Sequence, residues 1–116
     1  METIKKNEEF QNIYSKGNKH FAYYFLLYVK ENKLETKRFG VVVSKKTGNA
    51  VCRVRLKRLF REIFRNEENN LKDGFDYVFI AKRNAGQVWK TLKCQTLHKD
   101  VVKTLKKSGV LKWNIF

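Results

Sequence analysis

The chain predicts a small α+β sandwich, and three observations carry that expectation. Apolar residues recur at helical spacing in three separate segments. Between those segments lie runs dense in aromatic and β-branched residues, the composition of strands. The resulting order is helix, two or three strands, helix, strand, helix. All of residues 1–116 fit a single domain around one core. Hydrophobic residues make up 42% of the chain, nine Phe and five Tyr among them, so a core can form although 32% of residues are charged.

The elements follow in order. Asn7 to Lys16 is a helix on which Phe10, Ile13 and Tyr14 fall at i, i+3 and i+4, with Gly17 as its C-cap. Lys19 to Val29 reads as one strand, or as two joined by a bend. Phe21, Tyr23, Phe25, Leu27 and Val29 share one parity, and Ala22, Tyr24, Leu26 and Tyr28 the other. Both faces are therefore apolar or aromatic. Either helices cover both, or one face is an aromatic binding platform. Glu31 to Lys37 suits a turn and Arg38 to Ser44 a strand, followed by the loop Lys45-Lys46-Thr47-Gly48-Asn49.

A helix from Ala50 to about Arg65 comes next, with Asn49 as candidate N-cap. Asp73-Gly74 marks a turn, Asp76 to Ala81 a strand, and Lys82 to Gly86 a loop. The last helix is expected from about Thr91 to Lys107, with Cys94, Leu97, Val101 and Leu105 turned inward and Ser108-Gly109 ending it.

Charge narrows the function. Twenty-six Lys and Arg stand against 11 Asp and Glu, a formal +15. Self-repulsion of that size opposes a compact state, and a polyanion offsets it through phosphate neutralisation and counterion release. No run of about 18 apolar residues suggests a membrane partner, and Met1-Glu2-Thr3-Ile4-Lys5-Lys6 has no signal-peptide core, so a cytoplasmic protein is expected. Cys52 and Cys94 form no CxxC pair and read as buried thiols; a zinc site needs more Cys or His than is present. The acids are scattered, with no paired carboxylates at alternate strand positions, and His20 and His98 have no evident partner in the sequence. No phosphate-binding glycine loop occurs. If the chain takes part in catalysis, another molecule brings the chemistry.

The charge concentrates on the helix from Ala50. At about 100° per residue, Cys52, Leu56, Leu59, Phe60 and Ile63 gather on one side. Val54, Lys57, Arg58, Arg61 and Arg65 gather opposite, flanked by Arg53 and Arg55. Like charges at i+3 and i+4 disfavour an isolated helix by a few tenths of a kcal/mol per pair. Solvated faces normally mix signs, so a one-sign strip about 24 Å long reads as a phosphate footprint. Lys45 and Lys46 extend it beside the helix N-terminus, where free N–H groups already favour an anion.

The segment Phe39 to Glu62, with Gly40, Ser44-Lys45-Lys46, Gly48, Ala50-Val51, Arg53, Lys57-Arg58 and Arg61-Glu62 at matching spacing, closely resembles the signature of the bacterial ribonuclease P protein subunit. The resemblance extends to Asn7-Glu8-Glu9-Phe10-Gln11, to Phe25-Leu26-Leu27-Tyr28 and to Asp76-Tyr77-Val78. It implies a two-layer sandwich of a mixed four-stranded sheet and three helices, similar to a domain of a ribosomal small-subunit protein. It also implies a left-handed β-α-β crossover through the basic helix, against the usual hand.

The implied function is that of the protein subunit of a ribonucleoprotein endonuclease that removes 5′ leaders from precursor tRNA. The RNA subunit would hold the catalytic Mg2+ ions, and the protein no cofactor. Ribonuclease P RNA and precursor tRNA are the implied partners; DNA is not. Lys46, Arg53, Arg55, Lys57, Arg58 and Arg61 match the family's basic motif and would face the RNA subunit, with Lys45 and Arg65 continuing the strip. Phe10, Tyr14 and Tyr28 match the aromatic positions of the leader-binding cleft, although Phe10 and Tyr14 also suit a plain helix core. One position departs from the pattern: Val54 stands where the family has Asn. Valine cannot make an amide's hydrogen bonds, so from sequence Val54→Asn is expected to tighten RNA binding.

Overall fold

The computed structural model describes residues 2–112. Strand β1 (Glu2–Thr3) precedes helix α1 (Asn7–Lys16), the hairpin β2 (Asn18–Phe21) and β3 (Phe25–Glu31), and strand β4 (Arg38–Val42). Helix α2 (Ala50–Glu67) and a 3-10 turn (Glu68–Asn70) lead to β5 (Phe75–Ala81), α3 (Arg83–Gln87) and α4 (Cys94–Lys107). The sheet runs β1-β4-β5-β3-β2. Strands β2, β3 and β5 pair antiparallel, while β4 pairs parallel with β5 and with β1. Parallel neighbours need a crossover, and α2 is the one joining β4 to β5.

The α+β class is as expected, with a fifth strand added by the two-residue β1. Three further differences have physical causes. Lys82 to Gly86 is not a plain loop but contains most of α3, whose Ala85 is fully buried. Helix α4 begins at Cys94, not Thr91, because Thr91 and Leu92 donate their N–H groups back to Val88 in a separate turn. Lys19 to Val29 is two strands, and the bend resets the alternation. Phe21 pairs with Leu26 and Lys19 with Tyr28, and directly paired residues share a face. Phe21 therefore lies on the Tyr28 side of the sheet, not with Phe25. The turn at Tyr23-Tyr24 has no Gly, Pro or Asn; the Asp100 carboxylate of α4 accepts from both backbone N–H groups, at 3.4 and 3.1 Å.

One sheet face carries Phe25, Leu27, Phe39, Tyr77 and Phe79, buried beneath α2 and α4. Phe60 and Phe64 of α2 interleave with Phe25, Phe39 and Phe79 at centroid separations of 4.8–6.2 Å. The opposite face carries Tyr28, Val42, Val78 and Ile80, and α1 covers part of it through Ile13, Phe10 and Tyr14. Of the alternatives left by the sequence, the first is the one observed: helices lie on both faces, although α1 leaves the second face partly open.

Candidate nucleic-acid interface

Helix α2 owes its orientation to its inner side. Cys52, Leu56, Leu59, Phe60 and Ile63 are buried as expected, and Phe64 joins them. Asn49 caps the helix, its side-chain oxygen accepting from the Cys52 N–H at 2.9 Å. Burial pushes the Cys52 thiol up, with the neighbouring Arg53 charge opposing, so the thiol is protonated and serves packing. Cys94 is only partly buried, unlike its expected place in the core.

The outer side presents Val54, Arg58 and Arg65 to solvent, with Lys57 and Arg61 half-buried beside them. Among the described residues no hydrogen bond or ion pair holds the side chains of Lys57, Arg58, Arg61 or Arg65. Four cations on one helix with no partner among the described residues leave their charge available to an external anion. Arg53 and Arg55 differ from them. Arg53 donates to the Gly48 carbonyl at 2.9 Å, and Arg55 donates to the Trp89 carbonyl at 3.1 Å. Through these bonds both fix neighbouring loops.

Lys45 and Lys46 are exposed on a loop that the rest of the chain holds still. Thr47 is buried and donates its N–H to the Ser44 carbonyl at 3.0 Å. Gly86 of α3 lies against it so closely that a Cβ there would sit 1.9 Å from the Thr47 carbonyl oxygen. Sequence reasoning missed Gly86, because nothing local in Arg-Asn-Ala-Gly-Gln announces a contact some forty positions away.

The open sheet face holds the aromatic residues. Tyr14 and Tyr28 rings lie 5.1 Å apart, and Phe10 lies 6.3 Å from Tyr14. All three are half-buried. Phe10 packs on β4, where a Cβ at Gly40 would come within 2.8 Å of its ring, and joins the small core of this face. Burial pushes the Tyr14 phenol up, and the neighbouring Tyr28 adds to this, so the Tyr14 hydroxyl keeps its proton at neutral pH. Two further residues belong here. The Lys19 ammonium sits 5.0 Å from the Phe21 centroid and 5.9 Å from that of Tyr28. Only the β2–β3 register, invisible in a single strand's alternation, places them on this face.

Neither surface contains an evident catalytic set. Among the described residues no three His, Cys, Asp or Glu side chains come together to hold a metal ion. His98 does have a partner, Glu67 at 3.1 Å, which fastens α4 to the end of α2.

Known proteins share this fold. A family profile described as Ribonuclease P matches residues 1–109. The chain belongs to the ribonuclease P protein family. It is 46% identical over 111 residues to the ribonuclease P protein component of Fusobacterium nucleatum, covering 96% of this chain and 100% of that one. It is 36% identical over 113 residues to that of Natranaerobius thermophilus, covering 97% and 95%. Among solved structures, the RNase P protein of Staphylococcus aureus superposes with a TM-score of 0.85 at 33% identity, covering 97% of this chain and 99% of that one. That of Thermotoga maritima gives 0.84 at 29% identity, covering 92% and 97%.

Ribonuclease P is a ribonucleoprotein endoribonuclease of tRNA 5′ processing, so a chain of this family has an RNA subunit as its partner. The family motif falls on the Lys45–Asn49 loop and the outer side of α2, the two basic surfaces described above.

Proposed function

We propose that the outer side of α2, with Lys45 and Lys46, binds the catalytic RNA of ribonuclease P, while the cleft between α1 and the sheet holds the 5′ leader of precursor tRNA. The first half rests on one observation: Lys57, Arg58, Arg61 and Arg65 have no partner among the described residues although α2 is pinned by six buried side chains. Arg53 and Arg55 contribute charge and hold the adjoining loops in place.

The second half rests on the half-buried rings of Phe10, Tyr14 and Tyr28. Stacking on aromatic faces tolerates any base, as a site for leaders of differing sequence must. Lys19 beside Tyr28 supplies a cation for the leader's phosphates. In this reading the RNA subunit holds the Mg2+ ions, the protein lowers the magnesium needed by neutralising phosphate, and both work in the cytoplasm.

Reconstitution with a bacterial ribonuclease P RNA tests the reading. Folded protein is expected to lower the Mg2+ concentration required to cleave precursor tRNA. No change in that requirement, with no gain in affinity for leader-bearing substrate, would overturn it.

A further inference from the structure

Beside the N-terminal half of α2 lies a groove of about 500 Å³ whose walls are Val51, Val54, Leu59 and Trp89, with Arg55 and Arg58 at its rim. Two of these walls are open to solvent, Val51 at 64% and Val54 at 52% exposed, while Leu59 is buried and Trp89 half-buried. Single exposed apolar residues need no explanation, but two of them beside a half-buried tryptophan in one groove offer a contact surface. Trp89 is the fixed wall. It packs on the main core, its carbonyl accepts from Arg55 at 3.1 Å, and the turn after Val88 closes behind it.

The surroundings indicate the occupant. Arg55, Arg58 and the Lys90 ammonium, 5.8 Å from the Trp89 centroid, outweigh the one carboxylate of the groove, Glu62. Arg58 and Glu62 also line the adjoining groove formed with Arg61 and Arg65, so the apolar walls continue into a basic strip of three arginines against one carboxylate. A flat apolar slot ringed by cations fits a nucleobase flanked by phosphates. A second copy of a chain carrying +15 fits it poorly.

We propose that this groove receives one unstacked nucleobase of the RNA subunit, which lies against Trp89 and Val54 while Arg58 and Arg55 hold the flanking phosphates. The proposal rests on α2 being the RNA-binding helix. It gives Val54 a role that sequence alone did not suggest: the valine is the apolar wall of a base pocket, not a lost amide. Val54→Asn is therefore expected to weaken RNA binding, the reverse of what the motif departure implied.

The test uses full-length protein and its cognate ribonuclease P RNA. With Trp113→Phe, Trp89 is the sole tryptophan of a chain that has two, and RNA is expected to quench its emission. Trp89→Ala is expected to weaken RNA binding roughly tenfold, and Trp89→Phe to recover most of that loss. Equal affinities for all three side chains, with unquenched emission, would overturn the base pocket and leave the α2 reading intact. Trp89→Phe as weak as Trp89→Ala would also overturn it, by tracing the loss to a shifted α3–α4 connection. Loss of self-association in Trp89→Ala at unchanged RNA affinity would make the groove a contact between copies and overturn it equally. Wild-type protein that fails to bind the RNA would overturn both readings together.

Discussion

Arg38 grips Asp76 with two parallel hydrogen bonds, Nε to Oδ1 at 2.8 Å and Nη2 to Oδ2 at 2.7 Å, and its remaining arm reaches Glu9 of α1. The guanidinium thus joins β4 and β5 to α1, the helix that carries Phe10 and Tyr14. Both carboxylates, Asp76 first, raise the Arg38 pKa further above its ordinary range, so the charge persists at any working pH. Asp76 is 2% exposed, and its other contact is the Asn32 amide at 2.9 Å. Removing one partner of a buried pair strands the other charge, at a cost of about 3–5 kcal/mol. Arg38→Met is expected to approach that loss in urea denaturation. Glu9→Gln leaves the Asp76 pair intact and is expected to cost far less. A loss below 1 kcal/mol for Arg38→Met would show that water reaches Asp76.

The α2 cations that have no partner among the described residues predict a salt signature. Each phosphate contact contributes a little under one to the slope of log affinity against log salt. Arg58→Ala or Arg61→Ala is expected to weaken binding to the RNA subunit and to lower that slope by about one. An unchanged slope would assign these side chains to solvent.

The cleft predicts a different signature. Tyr28→Ala removes a ring that touches Tyr14 and neighbours Lys19. It is expected to reduce the preference for precursor over mature tRNA by roughly five- to a hundredfold, the range of one lost base stack, while affinity for the RNA subunit hardly changes. Phe21→Ala, at the outer end of the same face, is expected to act in the same direction more weakly, because Phe21 is 68% exposed. Equal losses with both tRNAs would contradict the cleft assignment.

Gly86→Ala probes the support under the Lys45–Lys46 loop. A methyl group 1.9 Å from the Thr47 carbonyl oxygen has nowhere to go, since the near atom is backbone. Either α3 moves away or the loop does. A drop in stability of about 1–3 kcal/mol is expected from overpacking, together with weaker RNA-subunit binding. Unaltered binding would show that the position of the two lysines does not depend on α3.

What was legible in the sequence was whatever local periodicity encodes. The inward seam of α2 follows from 3.6-residue spacing, and Asn49 acts as the cap its chemistry suggests. What was hidden depends on distant partners. The Tyr23-Tyr24 turn is held by Asp100, α3 is a helix of five residues packed on Thr47, and the side of the sheet that Phe21 occupies is set by hairpin register. Val54 shows the same limit at the site: its type is visible in the sequence, but the groove it shares with Trp89 is not. Arg53 and Arg55 belong to the basic motif, yet only the fold shows that they also brace Gly48 and Trp89.

Tyr77 predicts how stability responds to alkali. Its ring is fully buried against Phe64, and its hydroxyl donates to the Lys72 carbonyl at 2.9 Å. Burial, and secondarily the Asp73 charge, push its phenol well above the ordinary value of 10.0. A raised phenol pKa means that the folded chain keeps a proton which the unfolded chain releases above about pH 10. The folded state then binds more protons, so stability falls as pH rises; below about pH 10 both states hold the proton and this contribution is constant. Tyr77→Phe removes the titration. At pH 7 the variant is expected to be less stable by about 1 kcal/mol, the worth of one hydrogen bond. Between pH 10 and 11 the gap should narrow, because only the wild type loses stability through this residue. Tyr14, pushed up in the same direction, is common to both proteins and cancels in the difference. Urea midpoints at several pH values read that difference directly, and a gap that stays constant from pH 7 to 11 would mean that Tyr77 titrates alike in the folded and unfolded chain.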